Sequence, residues 1–186
     1  MKIEFAAAHL QVKAFAQAGA DLAGQDALQK YERLMLETKG QGGDLMVNWA
    51  ARGEWRPLPG QAGQVWLHLE ADAALPMTCQ RCLAPVVVPV RVDRSFRFVA
   101  DEATAVAEDD EAEEDLLVLS QDFNLAELVE DELLMAMPLV PRHETCPTEV
   151  KLAVADQDFE TANGEAGAAK PNPFAVLAAL QGDKRR

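Results

Sequence analysis

From Val88 to Phe98 the chain alternates with a period of two: Val88, Val90, Val92, Phe96 and Phe98 fall on one side, and Pro89, Arg91, Asp93, Ser95 and Arg97 on the other. That period belongs to a strand with one face on a core and the other in water. It recurs earlier, in Leu45, Val47 and Trp49, and in Val65, Leu67 and Leu69 set against Trp66, His68 and Glu70. Pro57, Pro59, Gly60 and Gly63 mark a loop between those two runs. The connections are short and leave no room for a crossover helix, so the three strands pair as an antiparallel meander. Leu116 to Leu119 reads as a short fourth strand.

Two segments carry the helical period instead. Between Asp26 and Glu37, Leu28, Tyr31, Leu34 and Met35 form one apolar stripe, and Gly40, Gly42 and Gly43 end it. Asn124 is placed as an N-cap, with Glu127 three residues on. Leu125, Leu128, Val129, Leu133 and Ala136 then make a buried stripe that Pro138 stops. Glu127, Glu130, Asp131 and Glu132 read as the solvated face of this second helix rather than a metal or acid–base cluster.

The expected fold class is α+β: an antiparallel β-meander packed with two main helices, spanning residues 21–152. Residues 1–20 read as an extended N-terminal segment. Residues 153–171 are Gly- and Ala-rich, a flexible linker, and 172–186 a short C-terminal helical segment completing a flexible tail. In that tail Phe174, Val176, Leu177 and Leu180 share helical spacing, and so short a helix needs a surface to fold on.

Charge is unevenly spread. The formal net charge is −14, but 101–115 holds nine carboxylates and no Lys or Arg, leaving −5 for the rest. That run reads as an acidic disordered loop. There is no transmembrane-length apolar stretch, and the N-terminus is too polar for a signal peptide. With three cysteines and no export signal, the expected location is cytoplasmic.

The cysteines are regularly placed. Cys79 and Cys82 form C-x-x-C, and His143 and Cys146 form H-x-x-C with the same spacing. Two intervening residues let a tight turn aim both ligands at one point, as in structural zinc knuckles. Sixty residues separate Cys82 from His143, so the fold would have to bring the halves together into a zinc-knuckle-like clamp. Inert buried thiols are the competing reading. Redox chemistry fits poorly, because Leu83-Ala84-Pro85 leads into a strand rather than opening a helix.

The surrounding residues resemble the bacterial YceD family, the large ribosomal RNA subunit accumulation proteins. Thr78-Cys79-Gln80-Arg81-Cys82-Leu83-Ala84-Pro85 is similar to its cysteine turn. Leu128-Val129-Glu130-Asp131-Glu132-Leu133-Leu134, Pro138 to Cys146 and Asn172-Pro173-Phe174-Ala175-Val176-Leu177 follow in the family's order. The resemblance implies a cytoplasmic factor for synthesis, processing or stability of large-subunit (23S) ribosomal RNA, with no catalytic residues to carry over. Some members carry cysteine at both paired positions; here His143 stands in for one.

The function expected is therefore a non-enzymatic factor in ribosome biogenesis. Its partners would be the large-subunit ribosomal RNA precursor or an assembly protein, with no membrane and no small-molecule substrate. Arg81, Arg91, Arg94, Arg97 and Arg142 are the candidate RNA or partner contacts, with Phe174 and Leu177 in the tail. One alternative is an adaptor that recruits a ribosomal or RNA-processing partner through the tail; another is a zinc-dependent hydrolase. Against an enzyme stands the absence of P-loop, H-E-x-x-H and G-x-S-x-G patterns. Four protein ligands would also leave a zinc no position for water.

Overall fold

A computed structural model describes residues 5–60 and 63–149. The linker at 153–171 and the terminal segment at 172–186, with Phe174 and Leu177, lie outside the described residues.

Five strands form one sheet in chain order: β1 (Asp21–Ala27), β2 (Met46–Arg56), β3 (Gln64–Thr78), β4 (Pro85–Val99) and β5 (Asp115–Val118). β1 to β4 are an antiparallel meander, with Val47 opposite Ala73 and Leu67 opposite Phe96. β5 runs parallel to β4, placing Leu117 opposite Phe98, so the sheet is mixed at one edge. β3 and β4 are 15 residues each, longer than the alternation of large side chains alone suggests. In β3 the period continues in smaller residues: Val65, Leu67, Leu69, Ala71, Ala73 and Leu75 are all buried on one face.

Three helices cover that face. α1 (Val12–Gln17) and α4 (Leu125–Ala136) pack on the sheet, and α2 (Glu32–Glu37) packs on α4. Phe15, Leu34, Leu67, Leu69, Phe96, Leu125 and Leu133 meet in the resulting core. The other face keeps a polar ladder in which Gln25 donates to Asn48 and Asn48 donates to Asp72. Among the described residues, no helix is long and apolar enough to cross a membrane.

The structure departs from the sequence reading in four places. Residues 7–9 and 12–17, expected as extended chain, are a 3-10 turn and α1. Val12, Phe15 and Ala16 bury at helical spacing, and Gly53 on β2 permits the close approach. A Cβ there would lie 2.7 Å from the Phe15 ring and 2.8 Å from the Ala16 backbone.

The helix expected from Asp26 to Glu37 is split. Asp26 and Ala27 end β1, Leu28–Lys30 make a 3-10 turn, and only Glu32–Glu37 is α-helical. Two interactions impose the split. The Asp26 carboxylate accepts from Trp49 Nε1 at 2.9 Å, from Tyr31 Oη at 3.3 Å and from Lys30, which fixes it on the strand. At the start of α2 the Glu130 carboxylate accepts the backbone N–H of Arg33 at 2.8 Å and of Leu34 at 3.3 Å. Those are two of the donors that a helix N-terminus leaves without partners.

Glu130 is itself the third departure. It is only 8 % exposed and faces α2 instead of solvent, where Arg33 Nε also donates to it at 3.0 Å. The sequence reading of Asn124 holds, since its Oδ1 accepts the Ala126 N–H at 3.1 Å.

Fourth, the acidic run at 101–115 is not a disordered loop. It contains α3 (Glu102–Glu108) and the start of β5. Asp101 caps α3 by accepting from Thr104 N and Oγ1, both at 2.8 Å. Arg97 gathers the run onto the sheet, bonding Glu108 at 2.6 Å and also Glu114.

Candidate metal centre

The turn from Cys79 to Ala84 joins the paired ends of β3 and β4, Thr78 and Pro85. It closes on itself: Cys79 N–H donates to the Ala84 carbonyl and Leu83 N–H to the Cys79 carbonyl, each at 2.9 Å. Leu83 takes a left-handed conformation with φ of 61°. That costs a non-glycine residue on the order of 1–2 kcal/mol. The sheet thus fixes the first ligand pair, with Cys79 buried and Cys82 half-buried.

The second pair lies beyond α4, in a segment without regular secondary structure from Pro141 to Glu149. Gln80 N–H donates to the Pro141 carbonyl at 2.8 Å and draws this segment over the turn. His143 and Cys146 then meet the two cysteines. Cys79 and Cys146 Sγ are 3.9 Å apart, Cys82 Sγ is 3.4 Å from His143 Nδ1, and all four donors lie within 4.8 Å of one another.

This geometry can be tested against the chemistry of the donor set. A disulfide needs about 2.05 Å between sulfurs, and all three cysteines are free. Zn–S and Zn–N lengths of about 2.3 and 2.0 Å at tetrahedral angles give edges near 3.8 Å for S···S and 3.5 Å for S···N. The Cys79–Cys146 and Cys82–His143 separations match these edges, and the other pairs lie within 4.8 Å. His143 Nε2 lies 3.0 Å from the Pro85 carbonyl, which can only accept, so Nε2 carries the proton and Nδ1 presents its lone pair to the cysteines. A metal-ligating imidazole requires that tautomer.

Electrostatics point the same way. Burial opposes a thiolate at Cys79, but backbone N–H groups of Cys82, His143 and Arg81, with the Cys82 thiol, outweigh it and draw its pKa down to about 5. At Cys82 the Ala84 N–H favours the thiolate, yet burial and the neighbouring Cys146 and Cys79 hold that thiol above its ordinary range. A divalent cation bound between these thiols would offset what disfavours the Cys82 thiolate. The four residues fit one tetrahedral metal ion with no position left for substrate or water.

The remaining candidates are scattered. Arg81 turns into the centre, its Nε 3.0 Å from Cys146 Sγ. Arg91 stands exposed on the open sheet face, in register with Asp72. Arg94 is in register with the core residue Leu69, on the helix-covered face, and pairs with Asp115. Arg97 returns to the open side, but its side chain is 12 % exposed and clamped by Glu108 and Glu114. Arg142 is exposed beside His143. These five do not form a single basic surface. The inward role of Arg81 escaped the sequence reading, although its place between two ligands was the available signal. Exposed apolar side chains in the segments that carry the clamp were also missed: Leu83 is 74 % and Leu139 100 % exposed, with Val87 and Val140 also largely in solvent.

Comparison with known proteins reaches the same region. Residues 67–181 match the family model described as large ribosomal RNA subunit accumulation protein YceD. The protein of that name from Haemophilus influenzae is 30 % identical over 171 residues, covering 89 % of this chain and 90 % of the relative. No solved structure matches the chain.

Proposed function

The chain belongs to the YceD family of large ribosomal RNA subunit accumulation proteins, and from that premise we propose that it is a non-enzymatic factor for 23S ribosomal RNA in ribosome biogenesis. It acts in the cytoplasm, and its four-ligand centre holds a structural zinc. The observation that carries this reading is the closed donor set: Cys79, Cys82, His143 and Cys146 converge with spacings that suit Zn²⁺ and leave no open coordination site. A hydrolytic zinc needs that open site to lower the pKa of a bound water. The zinc here cross-links the β3–β4 turn to the segment after α4, and its work is mechanical.

How the factor reaches its target follows from the surface. Arg94 and Arg97 are already paired with carboxylates, and Arg81 bonds across the clamp, so the five candidate arginines make no assembled phosphate-binding patch among the described residues. The exposed apolar side chains of Leu83, Val87, Leu139 and Val140 suit a ribosomal or RNA-processing protein better than RNA.

The test is made in cells lacking the protein, by the ratio of mature large-subunit to small-subunit ribosomal RNA. Wild type should restore the ratio, Cys146→Ser should not, and Arg91→Ala/Arg142→Ala, at two exposed positions, should restore it fully. Failure of the double arginine variant would move the contact to RNA. Turnover of precursor RNA by the purified protein would make it an enzyme.

A further inference from the structure

We infer that Arg81 is the positioning residue of the metal centre, using one guanidinium to hold the second ligand pair where the ion needs it. This rests on the zinc centre proposed above and assigns work to a residue that is not itself a ligand.

The two ligand pairs differ in what holds them. Cys79 and Cys82 sit on a turn closed by its own backbone bonds and continuous with two 15-residue strands. His143 and Cys146 sit on a segment with no helix or strand to fix its backbone. Beside the single bonds from Gln80 N–H to Pro141 and between His143 and Pro85, three side-chain bonds from one residue hold that segment against the turn. Arg81 Nη2 donates to the His143 carbonyl at 2.8 Å and to the Glu144 carbonyl at 3.1 Å, while Nε donates to Cys146 Sγ at 3.0 Å. Those contacts reach one ligand's backbone, the residue after it, and the other ligand's sulfur.

Arg81 is also well placed to transmit position. It lies between Cys79 and Cys82, so its Cα is fixed by the same turn that fixes the first pair. The guanidinium is planar and presents several donors in a rigid fork, which lets one group satisfy two carbonyls and a sulfur at once. A lysine would bring the same charge as a single point without that spread of directions. The N–H···S bond further withdraws electron density from the Cys146 thiolate. Hydrogen-bonding partners of metal ligands commonly govern both affinity and the electronic character of the site.

The experiment uses the full chain, stripped of metal and titrated with Zn²⁺ against a chromophoric chelator, then with Co²⁺ as a spectroscopic stand-in. Wild type, Arg81→Gln, Arg81→Lys and Cys79→Ser are compared. Wild type should bind one equivalent and show tetrahedral Co²⁺ bands with thiolate-to-metal charge transfer. Arg81→Gln should still bind one equivalent but about 10- to 100-fold more weakly. Its charge-transfer band should move to lower energy, because the freed thiolate donates more strongly. Arg81→Lys should resemble Arg81→Gln, and Cys79→Ser should lose the tetrahedral spectrum. Wild-type affinity and an unshifted band in Arg81→Gln would overturn the inference while leaving the metal centre standing. Full rescue by Arg81→Lys would reduce the role to charge alone and overturn the positioning claim. A wild-type chain that takes up no metal would overturn the centre itself, and the inference with it.

Discussion

The two halves of the candidate metal centre have the same ligand spacing but opposite structural support. Cys79 and Cys82 ride on the turn between β3 and β4, where cross-strand bonds run up to Thr78 and Pro85. His143 and Cys146 follow α4 in irregular chain, fastened by Gln80 N–H, by Arg81 and by the His143 bond to Pro85. Cooperative sheet structure thus preforms one half of the centre, while local bonds, together with the proposed metal ion, would assemble the other. Opening free energy should differ accordingly, since elements with few buried apolar contacts open first.

Core truncation should have the largest effect and should separate the halves. Leu75 is fully buried on β3, one turn of alternation from the cysteine loop. Leu75→Ala should cost about 2–5 kcal/mol of global stability by removing buried contacts and leaving a cavity. The folded fraction should still bind zinc with near-normal affinity, because the loss falls on the whole sheet. Chemical denaturation with and without zinc measures both. A stability loss confined to the zinc-bound form would show that β3 and the centre are one cooperative unit.

A smaller effect lies at the far edge of the sheet. Burial raises the pKa of Asp26, but bonds from Lys30, Trp49 and Tyr31 outweigh it and leave the carboxyl below its ordinary value of 3.8. A depressed folded-state pKa gives stability that is present above the unfolded value and is lost as pH falls toward and through the folded one. Wild type should therefore lose stability below about pH 4 through this group. Asp26→Asn should lack that part of the acid slope and leave zinc affinity unchanged. An identical acid slope in the two proteins would remove Asp26 from the account of how β1 is held.

The contrast between the halves also explains what could be read from sequence. β3 and β4 were legible because Val65 to Leu69 and Val88 to Phe98 alternate in large side chains, and such alternation has few other uses. Asn124 was legible because capping is local chemistry. The pairing of Cys79 with Cys82 and of His143 with Cys146 was legible from their spacing, which tight turns impose. β1 was not: Ala23, Gly24, Gln25 and Asp26 have little strand preference. The strand exists because Trp49 covers Gly24, where a Cβ would lie 2.4 Å from the indole, and because Trp49 donates to Asp26. α3 was hidden by net charge, since the counter-charge of Arg97 comes from another element. The bonds that Arg81 makes were hidden for a related reason. Its side chain looks like any surface arginine until the fold brings the carbonyls of His143 and Glu144 beside it.

The central claim is that a metal ion fastens an otherwise weakly held segment to a preformed turn. Amide hydrogen exchange, measured on the zinc-loaded protein and after chelation, tests it most directly. Chelation should strip protection from the backbone around His143 and Cys146 while Leu67 to Leu75 and Val90 to Phe98 keep theirs. Equal protection of the 138–149 segment in both states, or loss of protection throughout the sheet, would contradict it.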